Sequence, residues 1–153
     1  MSDLTKKDEV TILIAEDDDG HAELIKEHLK GVGLYNTIIR FRDGQEVWEF
    51  LSKTGAGEKR KDNQAYLLLL DIRMPRVDGV ELLRRVKTDP ELHKVPVIML
   101  TTTDDPREIE ECYKLGCSSY ITKPVDFVQF ADTLKRLGLF IMVIKVAKVL
   151  DNT

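Results

Sequence analysis

Hydrophobic positions along the chain gather into short continuous runs, and four of these stop on a functional group. Val10 to Ala15 ends on Glu16, Asp17 and Asp18; Leu67 to Leu70 on Asp71; Val97 to Leu100 on Thr101; Tyr120 to Thr122 on Lys123. Between the runs the spacing becomes helical. Ala22, Leu24, Ile25, Leu29 and Val32 approximate one stripe ending near Gly33, with Asp18 or Asp19 placed to cap it. Thr37 to Arg42 has the β-branched content of a further strand. Asp43 and Gly44 then open a helix with Val47, Trp48, Phe50 and Leu51 inward, and Val80, Leu82, Leu83 and Val86 mark another that stops before Pro90. Asp104, Asp105 and Pro106 start a helix running to about Leu115, where Gly116 suits its end, and a last helix spans about Asp126 to Leu137. Thr54 to Ala65 has no periodicity and reads as a solvated loop. Buried runs alternating with helices predict parallel strands, whose C-terminal ends share one edge of the sheet. Carboxylates, a hydroxyl and an ammonium therefore converge where open α/β sheets bind ligands.

Composition narrows the reading. At 153 residues, 42% hydrophobic and 33% charged, the chain suits one well-cored domain. A net charge of −4 and dispersed basic residues, apart from Lys59, Arg60 and Lys61, give no reason to expect nucleic acid as a partner. Met1 to Glu9 is polar, and no stretch approaches the ~20 apolar residues of a membrane span, so the expectation is a cytoplasmic protein without membrane contact. Cys112 and Cys117 match neither a redox pair nor a zinc set and read as packed, reduced thiols. His21, His28 and His93 are too dispersed for a ligand set and read as surface residues.

The chemistry follows from the groups themselves. Glu16, Asp17 and Asp71 are hard oxygen donors on neighbouring strand ends, and carboxylates a few ångströms apart repel unless a cation or a proton intervenes. Magnesium suits them, and it typically takes one or two carboxylates plus phosphate oxygens. Lys123 adds a fixed positive charge, directed by the turn or cis peptide that Pro124 could form, and Thr101 adds a hydroxyl donor. Asp71 is then the natural nucleophile toward phosphorus.

Ile12-Leu13-Ile14-Ala15-Glu16-Asp17-Asp18, Leu70-Asp71-Ile72-Arg73-Met74-Pro75 with Asp78-Gly79 following, Leu100-Thr101-Thr102 and Tyr120-Ile121-Thr122-Lys123-Pro124 match a known set in order and spacing. Together they resemble the receiver domain of bacterial two-component response regulators, over about residues 9–137. The loop before Leu67, Val125-Asp126-Phe127 and Leu137-Gly138-Leu139-Phe140 are further similar to the stand-alone regulators that partner bacterial phytochromes. The resemblance implies a flavodoxin-like three-layer α/β sandwich with a five-stranded parallel sheet of order 2-1-3-4-5. It implies that Asp71 accepts phosphate from a sensor histidine kinase or a histidine phosphotransfer protein, and that the chain is a self-phosphorylating switch rather than an enzyme. Asp17 and Asp71 would ligate Mg2+, with Glu16 acting through water and the backbone carbonyl of Arg73 completing the protein ligands. Lys123 and Thr101 would contact the phosphoryl group, and Tyr120 would change rotamer with Thr101. The first helix and the Pro124 loop would receive the kinase. Arg73 and Thr103 flank the site where side chains vary in the family, so the phosphoryl lifetime does not carry over; Thr102 stands where a smaller residue is common, so neither does the amplitude of the Thr101 shift, and Asp18 adds an acid beside the metal pair.

Other classes fit less well. A haloacid-dehalogenase-type phosphatase wants a second Asp two residues after the nucleophile, where this chain has Arg73, and four acids from Glu16 to Asp19 would repel a dinucleotide pyrophosphate. A receiver-fold module that works without phosphorylation is the remaining alternative. Residues 138–153 form a C-terminal extension in which Leu139 to Ile144 is uninterrupted and apolar, continued by Val146, Ala147, Val149 and Leu150. Such a run either folds back on its own core or supports a homodimer, which is the expectation here; output then passes through contacts with a downstream protein.

Overall fold

The structure, a computed structural model, describes residues 9–150. The polar N-terminal stretch before Glu9 and the last three residues of the extension lie outside the described residues. The elements run β1 (Thr11–Ala15), α1 (Asp19–Gly31), β2 (Ile38–Phe41), α2 (Gly44–Ser52), β3 (Gln64–Leu70), α3 (Gly79–Thr88), β4 (Val97–Thr101), α4 (Pro106–Leu115), β5 (Ser119–Thr122), α5 (Phe127–Val143) and β6 (Lys148–Val149). Five parallel strands lie in the order β2-β1-β3-β4-β5, as expected of the flavodoxin-like architecture.

Alternation along the strands builds two cores from one sheet. Leu13, Ala15, Leu68, Leu70, Val97 and Met99 face α2, α3 and α4, while Ile12, Ile14, Leu67, Leu69, Ile98 and Leu100 face α1 and α5. Every one of these helices begins at an aspartate N-cap: Asp18, Asp43, Asp78, Asp105 and Asp126 each accept a backbone N–H from the first turn. At the far end of α4, Gly116 adopts φ 110° and the Cys117 N–H reaches the Cys112 carbonyl at 3.1 Å. Both thiols are thereby buried in the core without a bridge between them, with Cys112 pushed up to about 11 by burial.

Three segments depart from the sequence reading. The aperiodic stretch is not wholly solvated: Arg60 is buried, donating to the Leu51 carbonyl and pairing with Asp62 and Glu91, while Gln64 and Ala65 already belong to β3. The last helix continues past Leu137 to Val143. Beyond it the chain turns back, and β6 pairs antiparallel with the start of β3, Gln64 opposite Val149 and Ala65 opposite Lys148, which places Val149 in the core. A sixth, antiparallel strand therefore joins the five parallel ones.

Candidate functional site

The four strand ends meet as their sequence pattern requires. Asp71 N–H donates to the Ala15 carbonyl at 3.1 Å, so the ladder between β1 and β3 continues up to the site. Lys123 N–H donates to the Thr101 carbonyl at 2.7 Å, which ties the end of β5 to that of β4. No cis peptide occurs among the described residues, so the bond before Pro124 is trans and Lys123 is directed by that backbone contact instead. The chain leaving β3 doubles back over the site, and the Gly79 N–H reaches the Ile72 carbonyl at 2.8 Å. A Cβ at Gly79 would strike the Asp71 carbonyl, so only glycine permits this approach.

Within this frame Glu16, Asp17 and Asp71 each place a carboxylate oxygen within 4.8 Å of the other two. Glu16 and Asp71 are buried, whereas Asp17 is exposed at the mouth. Glu16 Oε2 accepts from Asp18 N–H at 3.1 Å, and Asp71 Oδ1 accepts from Ile72 N–H at 2.7 Å. The buried Lys123 ammonium pairs with Glu16 Oε1, with Asp71 Oδ2 at 3.2 Å and with His21 Nδ1 at 3.1 Å. Burial pushes the Glu16 carboxyl up to about 7, with Asp71 adding repulsion and Lys123 opposing both. One ammonium is thus shared by crowded acids, a donor set of hard oxygens whose charge a divalent cation would offset. Glu16, Asp17 and Asp71 are the residues that could hold it.

Thr101 is fully buried, and its hydroxyl has no hydrogen-bond partner among the described residues. Such an orphan costs about 1–3 kcal/mol, a debt that an incoming acceptor at the site would settle. Tyr120 stands on the neighbouring strand; its hydroxyl donates to the Thr103 carbonyl at 2.6 Å, and burial pushes its phenol up to about 12. The loop bearing Thr101 and the Tyr120 ring are therefore mechanically joined. Arg73 enters through its side chain, whose guanidinium donates to Glu108 of α4 at 2.9 Å.

Two neighbours were not singled out from the sequence. His21, expected on the surface, contacts Lys123 and packs edge-on against Phe130. Arg40 of β2 donates from Nε to the Glu16 carbonyl at 2.9 Å and from Nη1 to Asp19 at 2.8 Å, holding the acidic loop from the adjacent strand. An arginine within a β-branched strand, and a histidine one helical turn beyond Asp17, were the available signals.

A profile of the family described as the response regulator receiver domain matches residues 12–135. Response regulator Rcp1 from Synechocystis is 34% identical over 80% of this chain and 82% of its own length. The crystal structure of its Mn(2+)-bound form superposes with a TM-score of 0.80 at 26% identity, covering 90% and 99% of the two chains. A response regulator receiver domain from Rhodospirillum rubrum gives a TM-score of 0.84 at 42% identity, over 93% of this chain and all of that one. The phosphorylated cyanobacterial phytochrome response regulator RcpA gives 0.78 at 32% identity, over 88% and 94%.

Proposed function

The chain belongs to the response regulator receiver domain family, phosphoacceptor switches rather than enzymes in the ordinary sense, and from that premise we propose that Asp71 is its phosphoacceptor. The observation that carries the assignment is the arrangement around Asp71: two further carboxylates within 4.8 Å, a buried ammonium at 3.2 Å and a buried, unsatisfied hydroxyl at the next strand end. A carboxylate oxygen of Asp71 attacks phosphorus as the bond from phosphorus to the donor's histidine nitrogen breaks, leaving an aspartyl phosphate and a free imidazole. Lys123 neutralises charge on the transferred group, and the Thr101 hydroxyl donates to one of its oxygens. That donation draws the loop of Thr101 to Thr103 inward, and the Tyr120 ring, tied to Thr103, moves with it.

Magnesium is the metal we assign; Asp17 and Asp71 would hold it, with Glu16 acting through water and the Arg73 carbonyl completing the protein ligands. When bound it offsets the charge that phosphorylation adds. The manganese in Rcp1 supports a divalent ion of this kind. A small phosphodonor such as acetyl phosphate suffices for the reaction, since the acceptor chemistry lies within this chain.

The donor is a sensor histidine kinase or a histidine phosphotransfer protein, and the phytochrome regulator among the relatives supports a phytochrome-type kinase. Val125, Phe127 and Val128 lie exposed after Pro124, and Phe127 stacks edge-on with His28 of α1 at 6.4 Å, which supports docking across α1 and this loop. No described helix is long and apolar enough to cross a membrane, and we place the protein in the cytoplasm beside its kinase. The test is intact mass after incubation with acetyl phosphate. One phosphate is expected with magnesium, none with EDTA and none on Asp71→Asn; a chain that never takes phosphate while still binding its partner would be the phosphorylation-independent module instead.

A further inference from the structure

We propose that His21 is a positioning residue for Lys123, its imidazole Nδ1 holding the ammonium over Asp71 for phosphoryl transfer. The inference rests on the phosphoacceptor reading above and assigns a residue that reading does not use. The Lys123 ammonium has three protons and three acceptors around it: Glu16 Oε1, Asp71 Oδ2 and His21 Nδ1. An ammonium only donates, so this contact requires Nδ1 to accept and therefore the Nε2–H tautomer of the ring.

The reaction disturbs the first two acceptors. Asp71 becomes the acyl phosphate, and Glu16 belongs to the carboxylate set that would hold the metal. His21 alone of the three stays available throughout. Its own position is fixed from two sides. The His21 N–H donates to Asp18 Oδ1 at 2.9 Å, the N-cap bond of α1, and the ring lies edge-on against the buried Phe130 of α5, with centroids 5.7 Å apart and planes at 80°. Lysine carries its charge on a flexible four-carbon stem, so a fixed third acceptor restricts where the ammonium can stand as the phosphoryl group arrives.

Two variants separate the acceptor from the ring. His21→Phe keeps an aromatic face against Phe130 and deletes the acceptor, whereas His21→Asn offers an amide oxygen near the place of Nδ1 and deletes the ring. Each full-length chain is phosphorylated with acetyl phosphate and magnesium across a range of donor concentrations, with intact mass followed in time. For His21→Phe the maximal rate is expected to fall about five- to tenfold, the loss of one charge-assisted bond, while the half-saturating donor concentration moves by less than about twofold. His21→Asn should recover most of that rate. Independently of any donor, the 15N resonance of the Lys123 ammonium, identified by its loss in Lys123→Met, must shift in His21→Phe. In the wild-type protein at about pH 8 the ring nitrogens must report the Nε2–H tautomer.

The inference requires all of these results. A wild-type rate or an unmoved ammonium resonance in His21→Phe overturns it, as does equal loss in both variants, which would put the effect in ring packing. The opposite tautomer overturns it without any variant. If the wild-type protein takes no phosphate, the Asp71 assignment fails instead, while the ammonium resonance still reports whether His21 holds Lys123.

Discussion

Asp71, Lys123 and Asp17 illustrate how differently charged residues of one site respond to the same kind of change. Lys123 is buried against Glu16 and Asp71, and removing one partner of a buried pair typically costs about 3–5 kcal/mol. In Lys123→Met the loss should be smaller, because Glu16, already pushed up to about 7, can accept a proton in place of its lost counter-ion. Phosphate should still add to Asp71 in this variant, but amide hydrogen exchange in the loop of Thr101 to Thr103 should respond much less to phosphorylation than in wild type. A full response would remove Lys123 from the switch. Asp17 is exposed, so Asp17→Asn should leave thermal unfolding within about 1 kcal/mol of wild type. Magnesium affinity, read by titration calorimetry, should nevertheless fall at least tenfold, since even outer-shell partners of metal ligands are worth about that much. These residues were legible in the sequence because each sits where an apolar run stops. His21 was not, because its role depends on a lysine 102 positions away that only the packing of α1 against α5 brings near.

Among the elements, the helix starts were easy to read and the additions after Leu137 were not. Asp43 shows why the starts are legible: it caps α2 by accepting from Glu46 N–H at 2.8 Å, a local bond between residues three apart. It also accepts from Arg76, which stands at φ 68° in the turn before α3, so one side chain joins α2 to the loop behind Asp71. Burial alone would raise the Asp43 carboxyl, but the Arg76 and Glu46 bonds outweigh it and hold the group below the usual carboxylate range. A depressed pKa contributes stability that is present above the unfolded value and is lost as pH falls through the folded one. Asp43→Asn keeps a capping oxygen but removes the charge, so its unfolding midpoint should lie below that of wild type at pH 6 and converge on it as the pH falls through the depressed folded-state pKa. A gap that stays constant across that range would show that the pair does not titrate as described. Strand β6 has no such local signature. Two residues carry no periodicity, and Val149 finds its place only through pairing with Gln64, so Val149→Asp should cost about 2–4 kcal/mol in urea unfolding although the sequence marks it as tail.

At the scale of the whole molecule, the extension divides what the sequence presented as one apolar run. Ile141 and Val149 are buried, which satisfies part of it within the chain, and β6 secures the end. Leu139, Phe140, Met142 and Val143 remain exposed on α5, at 49 to 74%, beyond what packing against α1 and the sheet covers. A contiguous apolar face of this kind on a small domain marks an interaction surface, and a twofold contact would bury it symmetrically. We therefore retain the homodimer as a proposal and narrow it, within the extension, to the exposed residues on the outer face of α5. The distinction changes the experiment: truncation after Gly138 would delete Ile141 and Val149 from the core and confound association with unfolding. Phe140→Glu combined with Val143→Glu alters only exposed positions and should leave thermal unfolding of the monomer within about 1 kcal/mol. Sedimentation over a concentration series, with and without phosphorylation, should then show a wild-type dimer and a charge-substituted chain that stays monomeric at the same concentrations. A wild-type protein that remains monomeric throughout in both states would leave this face to a downstream partner.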